Sequence, residues 1–158
     1  MPRCHRRSSG PSSHEPDPEG RGAARWMPKR ILLDTHCWLW MQVDPERFSS
    51  ASRRLIEDPD NELLLSAASS WEIAIKYELG KLPLPEPPAS YVPGRMQASG
   101  TGSLPVEHRH ALHVAELPDH HRDPFDRLLV SQAMLERLVL LTADRQLEPY
   151  DVQLRWAR

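Results

Sequence analysis

Four acidic residues stand out by position: Asp34, Glu72, Asp126 and Asp144. Asp34 closes the apolar run ILLD, and Asp144 comes two residues after Thr142 closes a second run, LVLLT. Asp126 lies three residues after Asp123 and two after Pro124, so Asp123 reads as the N-cap of a helix, Pro124 as its first residue and Asp126 as its third. Glu72 follows Ser69 by the same interval, the spacing of a capping box. Taken singly, each acid has an ordinary structural job; Asp126, for example, suits the positive end of a helix dipole. Taken together they do not. Two like charges about 4 Å apart repel by about 4 kcal/mol at an effective dielectric near 20, and four gathered in one place call for a cation or a proton. A hard divalent ion relieves that charge: Mg²⁺ or Mn²⁺ takes oxygen ligands from a few carboxylates together with substrate phosphates.

Gathering the four acids requires elements that end in one place. Short apolar runs alternate with helical patterns from Ile31 onward, which predicts an α/β fold, a short parallel sheet of four to five strands flanked by helices. Strands are expected at Ile31 to Asp34, Leu63 to Ser66, Ser103 to Val106 and Leu138 to Thr142, with a fifth near Val152 to Leu154. Open parallel sheets place their sites at the carboxyl ends of strands, and the first turn of a right-handed crossover helix lies beside the end of the strand before it. All four acids then converge on one edge. Trp71, Ile75 and Leu79 recur at helical spacing, as do Phe125, Leu128, Leu129, Gln132 and Ala133, and both stripes are expected to face the sheet. Trp38, Trp40 and Trp71 are expected in the core. Gly80 closes the first of these helices, and Pro83, Pro85, Pro87, Pro88 and Pro93 mark the next stretch of chain as a stiff, non-helical connector.

Length and composition narrow the classes. The 158 residues suit one domain, and a formal net charge of -2 argues against a nucleic-acid binder driven by bulk basic charge. Cys4 and Cys37 are too few for a disulfide framework or a zinc ribbon. The dense histidines His108, His110, His113, His120 and His121, and His36 beside Cys37, provide no second ligand pair at zinc spacing. No nucleophile elbow or phosphate-binding glycine loop is present, so acyl transfer and nucleotide hydrolysis have no candidate residues. No apolar run approaches the roughly 18 residues of a membrane helix, and Met1 to Arg25 lacks the apolar stretch of a secretory signal; a soluble, cytoplasmic protein is expected. Residues 1 to 26 hold four Pro, three Gly and almost no aliphatic side chains. They are expected to be a disordered tail, or to precede a true start at Met27, leaving 27 to 158 as the folded domain.

Four segments carry a family resemblance: LLDTHCWLW from Leu32, SAASSWEIAIKYELGKL from Ser66, HRDPFDRLLVSQA from His121 and LTADR from Leu141. In order and spacing they resemble the PIN-domain nucleases, and in particular the VapC-like toxins of type II toxin-antitoxin systems. The resemblance spans Ile31 to roughly Val152 and implies a PIN-like fold and Mg²⁺- or Mn²⁺-dependent RNA hydrolysis. By it, Asp34, Glu72, Asp126 and Asp144 match the family's acidic quartet, as metal ligands and catalytic groups, and Thr142 its hydroxyl neighbour. It implies as partners an RNA substrate, a small antitoxin protein and a homodimer. Lys76, Arg122, Arg127 and Arg145 flank the acids and are candidates to position the RNA backbone. Two alternatives remain open, an RNA-processing nuclease without an antitoxin and an inactive PIN-like domain that binds RNA or protein.

A chain starting at Met27 should fold as the full chain does, because the removed segment contributes almost no apolar surface. Melting curves of the two chains check this; a drop of several degrees on truncation would contradict it.

Overall fold

The structure is a computed structural model that describes residues 28–158. The expectations for residues 1 to 26 lie outside the described residues. Five strands, β1 (Arg30–Leu33), β2 (Glu62–Ser66), β3 (Gly102–Leu104), β4 (Val139–Thr142) and β5 (Gln153–Trp156), form one sheet in the order β3-β2-β1-β4-β5. Every pairing is parallel. The register sets Leu33 of β1 beside Leu141 of β4, and Thr142 beside Trp156 of β5. A parallel sheet needs cover on both faces, and the strands are apolar accordingly: β4 is buried at all four positions.

Successive side chains of a strand point to opposite faces, and the core divides along that alternation. Ile31, Leu33, Leu63, Leu65, Val139 and Leu141 face one layer, with Cys37, Trp38, Phe48, Ile73, Tyr91 and Val92 packed on them. Leu32, Leu64 and Leu140 face the other layer, against Leu129, Val130, Ala133 and Leu147. The first layer draws on helices α1 (Thr35–Val43), α2 (Ser50–Glu57), α3 (Ala67–Glu78) and α4 (Pro88–Ser99). The second layer is covered chiefly by α6 (Pro124–Glu136), on which α5 (His108–His113) lies. None of the described helices is long and apolar enough to cross a membrane.

Three expectations are corrected. The proline-rich connector is partly helical, since α4 runs through Pro93. An interior proline costs about 3 kcal/mol, whereas burying a large apolar side chain stabilises by about 1.5 to 3 kcal/mol. Tyr91 and Val92 are both buried on the core, Pro88 takes the favourable first helical position and Gly100, at φ 65°, ends the helix in the left-handed region. The Trp71 and Leu79 stripe of α3 does not face the sheet: each is 62% exposed, and the buried positions are Ala68, Ser69, Glu72 and Ile73. Ser69 and Glu72 form no capping box, because α3 starts earlier and Ser66 caps it by accepting the Ala68 N–H.

Gly80 follows α3 at φ 71° as expected, but the residue after α6 is not a glycine: Arg137 sits at φ 55°. A non-glycine residue in that region costs about 1 to 2 kcal/mol. Arg137→Gly should therefore stabilise the protein by about 0.5 to 1 kcal/mol after the added freedom of the unfolded chain is subtracted, as read from denaturant midpoints.

Candidate active site

Asp34 follows β1 directly and starts α1. Its N–H is held by Leu141 O at 3.0 Å and its C=O accepts from Trp38 N–H, so the backbone around it is tied to β4 on one side and α1 on the other. Thr142, at the end of β4, donates its hydroxyl to Asp34 Oδ2 at 2.7 Å and accepts the Asp144 N–H at 3.0 Å. One fully buried hydroxyl thus fixes two of the four acids. Asp34 Oδ1 is buried and has no hydrogen-bond partner among the described residues. Burial pushes the Asp34 carboxyl above its ordinary range; the Thr142 hydrogen bond opposes this, while the charge of Glu72 adds to it.

Asp123 and Asp126 divide the work at the start of α6 as their spacing predicts. Asp123 Oδ1 accepts from Phe125 N–H at 2.8 Å and from Asp126 N–H at 3.3 Å, an N-cap that satisfies two backbone donors. Asp126 is left free to point at the sheet edge, where it lines one cleft of about 230 Å³ with Asp34 and Asp144. Its carboxyl is pushed up to about 8, first by burial and then by the charges of Asp34, Asp123, Glu72 and Asp144. Glu72, on α3, is 4% exposed and pairs through Oε2 with Lys76 Nζ at 2.8 Å. With the capping box gone, its burial has no helix-end explanation. Asp34, Asp126 and Asp144 line the cleft, with Thr142 bonded to Asp34; Glu72 is not among the lining residues, but its charge acts on both Asp34 and Asp126.

The predicted cations fare differently. Lys76 is committed to Glu72, one helical turn away. Arg127 is a structural brace: its guanidinium donates to the carbonyls of Pro118, His121 and Val114 and to the Tyr150 hydroxyl, and it lies inside the fold. Arg122 is exposed, and Arg145 is exposed with its guanidinium 4.0 Å from the Trp156 ring centroid.

One residue at the centre escaped detection by spacing. His121 Nδ1 accepts the Asp123 N–H at 3.0 Å, which leaves Nε2 to carry the proton of the neutral ring. Nε2 donates to Asp144 Oδ2 at 2.8 Å and lies 3.4 Å from Asp126 Oδ2. The other Asp144 oxygen accepts the Gln146 N–H at 2.9 Å. His121 therefore sets the Asp144 carboxylate and neighbours Asp126; in the sequence it stands among the dense histidines and opens the HRDPFDRLLVSQA segment, but no spacing gives it a role beside the acids. His110, by contrast, is buried between Glu107 N–H and Glu136 Oε1 and uses both ring nitrogens, so that second grouping of Glu107, His110 and Glu136 is held as structure.

The donor set fits a hard divalent ion. Asp126 and Asp144 offer carboxylate oxygens within 4.8 Å of one another, beside His121, whose Nε2–H is spent on Asp144, and Asp34 Oδ1 is a buried oxygen lacking any partner among the described residues. A cation is what such a group lacks.

A sheet of this order, with acids from β1, α3, α6 and the turn after β4 meeting at its carboxyl edge, is the architecture of the PIN domain, whose family profile matches residues 31–152; the chain belongs to that family. Within it, the chain is similar to two proteins of Mycobacterium tuberculosis. It is 31% identical to Ribonuclease VapC22 over 121 residues, 76% of this chain and 91% of that protein. It is 60% identical to Ribonuclease VapC16 over 62 residues, 39% of this chain and 44% of that protein, so the match spans less than half of that relative. The fold is also that of solved VapBC structures. DNA-bound VapBC from Salmonella typhimurium matches with a TM-score of 0.60 at 18% identity over 82% of this chain and 99% of that one. VapBC2 from Rickettsia felis, bound to a promoter DNA fragment, matches with 0.62 at 16% identity and the same coverages.

The raised carboxyls set a pH dependence for the metal-free protein. Between the ordinary aspartate range near 4 and about 8, the folded state holds a proton on Asp126 that the unfolded state has released. Stability is therefore fully present below about pH 4 and lost as pH rises through about 8, by at most about 1.4 kcal/mol per pH unit. In EDTA, the melting temperature should fall between about pH 5 and about pH 8, and Asp126→Asn should flatten that fall. A melting temperature that rises over this window in EDTA would show that Asp126 ionises normally.

Proposed function

We propose that this chain is a divalent-metal-dependent endoribonuclease, Mg²⁺ or Mn²⁺ serving as its ion, and that it acts in the cytoplasm as the toxin of a pair whose antitoxin is a small protein. The observation that carries the reading is the acid quartet itself, with Asp34 and Glu72 buried and Asp126 and Asp144 part-buried. Four carboxylates at one sheet edge, one of them raised to about 8 and another with an unpartnered buried oxygen, oppose folding unless an ion is used there. This also weighs against an inactive binding domain. The names of the similar proteins, Ribonuclease VapC22 and Ribonuclease VapC16, support RNA as substrate, and the VapBC structures support an antitoxin as partner.

In this reading Asp34, Asp126 and Asp144 hold the ion, each through oxygen lone pairs that the internal hydrogen bonds leave open. The bound ion supplies Lewis-acid stabilisation of phosphate charge and a water of lowered pKa. Thr142 keeps Asp34 Oδ2 occupied and so presents Oδ1. His121 Nε2–H and the Gln146 N–H hold Asp144 in one orientation. Glu72, its Oε2 steadied by Lys76, accepts the proton of the attacking water as general base. Homodimerisation remains part of the proposal, with the exposed Trp71 and Leu79 on α3 as apolar surface outside the cleft. A processing nuclease without an antitoxin differs by a cheap observation, the lack of a short reading frame for a DNA-binding protein beside the gene.

The test compares two residues on one helix turn. RNA should be cleaved with Mg²⁺ or Mn²⁺ and spared in EDTA. Asp126→Asn should abolish cleavage while the protein stays folded. Asp123→Ala should keep cleavage at a temperature where it is folded and lose about 1 kcal/mol of stability, within roughly 0.5 to 2. Near-normal turnover by Asp126→Asn would remove it from the site.

A further inference from the structure

The wall of the acidic cleft contains one cation, and it is none of the four that flank the acids in sequence. Arg158 lines the cleft together with Asp34, Asp126 and Asp144. Its backbone is anchored, since the preceding Ala157 is fully buried, donates its N–H to Thr142 O at 2.8 Å and accepts the Ser49 N–H at 2.9 Å. The residue that fixes Asp34 and Asp144 thus also fixes the start of Arg158. Its side chain is held by an aromatic face: the guanidinium carbon lies 5.2 Å from the Trp40 ring centroid. Arg145 repeats the arrangement on Trp156 at 4.0 Å and donates to Arg158 O at 3.4 Å. Although three carboxylates share the cleft, Arg158 makes no ion pair with a described residue.

We propose that Arg158, seated on Trp40, and Arg145, seated on Trp156, form a phosphate-binding ledge for single-stranded RNA beside the carboxylate centre. The proposal rests on the ribonuclease reading above. A guanidinium stacked on an indole keeps its N–H edge open and pre-set in the planar fork that matches a phosphate. At about 230 Å³, the cleft falls below the roughly 300 to 1,000 Å³ of a site that encloses a small ligand, so it suits a stretch of strand whose neighbouring phosphates lie along the wall. Because Asp34 is only 5% exposed, a scissile phosphate must enter the cleft, which a splayed single strand does more readily than a stacked duplex.

The test uses the full chain and a short fluorescent single-stranded RNA, with binding measured in Mg²⁺ on the Asp126→Asn background and cleavage measured on the otherwise native protein. Arg158→Ala should weaken RNA binding about tenfold and lower the slope of log affinity against log salt by about 0.7 for the lost phosphate contact. In cleavage, the loss should fall mainly on KM. Arg158→Lys should keep the salt slope and recover part of the affinity, which a purely structural arginine would not show. Arg145→Ala, at an exposed position, should act in the same direction. Unchanged affinity and slope in Arg158→Ala, with RNA still cleaved, would overturn the ledge and leave the ribonuclease reading standing. RNA neither bound nor cleaved by the native chain would remove both. If Arg158→Ala binds RNA normally but binds the protein encoded beside its gene less tightly, the ledge is a protein-docking surface and the RNA assignment is wrong.

Discussion

The Thr142 hydroxyl joins the carboxyl ends of the two central strands: it donates to Asp34 and accepts from the backbone of Asp144. With that bond in place, Asp34 has one oxygen satisfied and one bare, and Asp144 begins the turn that lets His121 and Gln146 grip its two oxygens. Asp126 then sits in a site that removes it from water and sets it against the charges of Asp34, Asp123, Glu72 and Asp144, and burial first and charge second push its carboxyl up. Removing the hydroxyl would free Asp34 Oδ2 as well and loosen the tie between the two acids.

Charge repulsion at this edge has to be carried by the rest of the fold. The sheet is clad on both faces by apolar side chains in strict alternation, Ile31 and Leu33 to one layer and Leu32 to the other, and that burial is the dominant favourable term available. Several polar groups that reach the interior away from the edge are satisfied by each other. Ser66 bonds Gln132, whose amide reaches Pro105 O, and Thr35 bonds Ser69. The unpartnered Asp34 oxygen shares that state with Arg53 Nε and His113 Nε2 among the described residues, but it alone of the three belongs to an acid lining the cleft, where a cation would satisfy it.

Asp34, Asp126 and Asp144 were legible because strand ends and a helix N-terminus are among the strongest punctuation in a sequence. Glu72 was found by spacing, yet the capping role weighed against it was an accident of Ser69 lying three residues before; the true cap, Ser66, is already the last residue of β2. Periodicity placed Trp71 and Leu79 on a helix but not on its buried face, because an apolar stripe does not say what covers it. The α4 helix was hidden by its prolines, whose cost is outweighed by tertiary burial of Tyr91 and Val92 that local propensity does not contain. His121 and Arg158 were missed for a common reason: both reach the acids through chain segments, a short loop and a final strand, whose direction only the assembled sheet decides.

Parallel strands give the molecule a polarity that any attachment must respect. The chain enters β1 at Arg30, at the sheet edge remote from the acids, whereas Arg158 follows β5 at the edge that carries them. A bulky group introduced at Arg158 would therefore sit in the wall of the working cleft and crowd Trp40 and Asp126. A label on the exposed side chain of Arg30, the first residue of β1, lies at the opposite edge, and tethering the protein to a surface through it leaves the cleft turned toward solution.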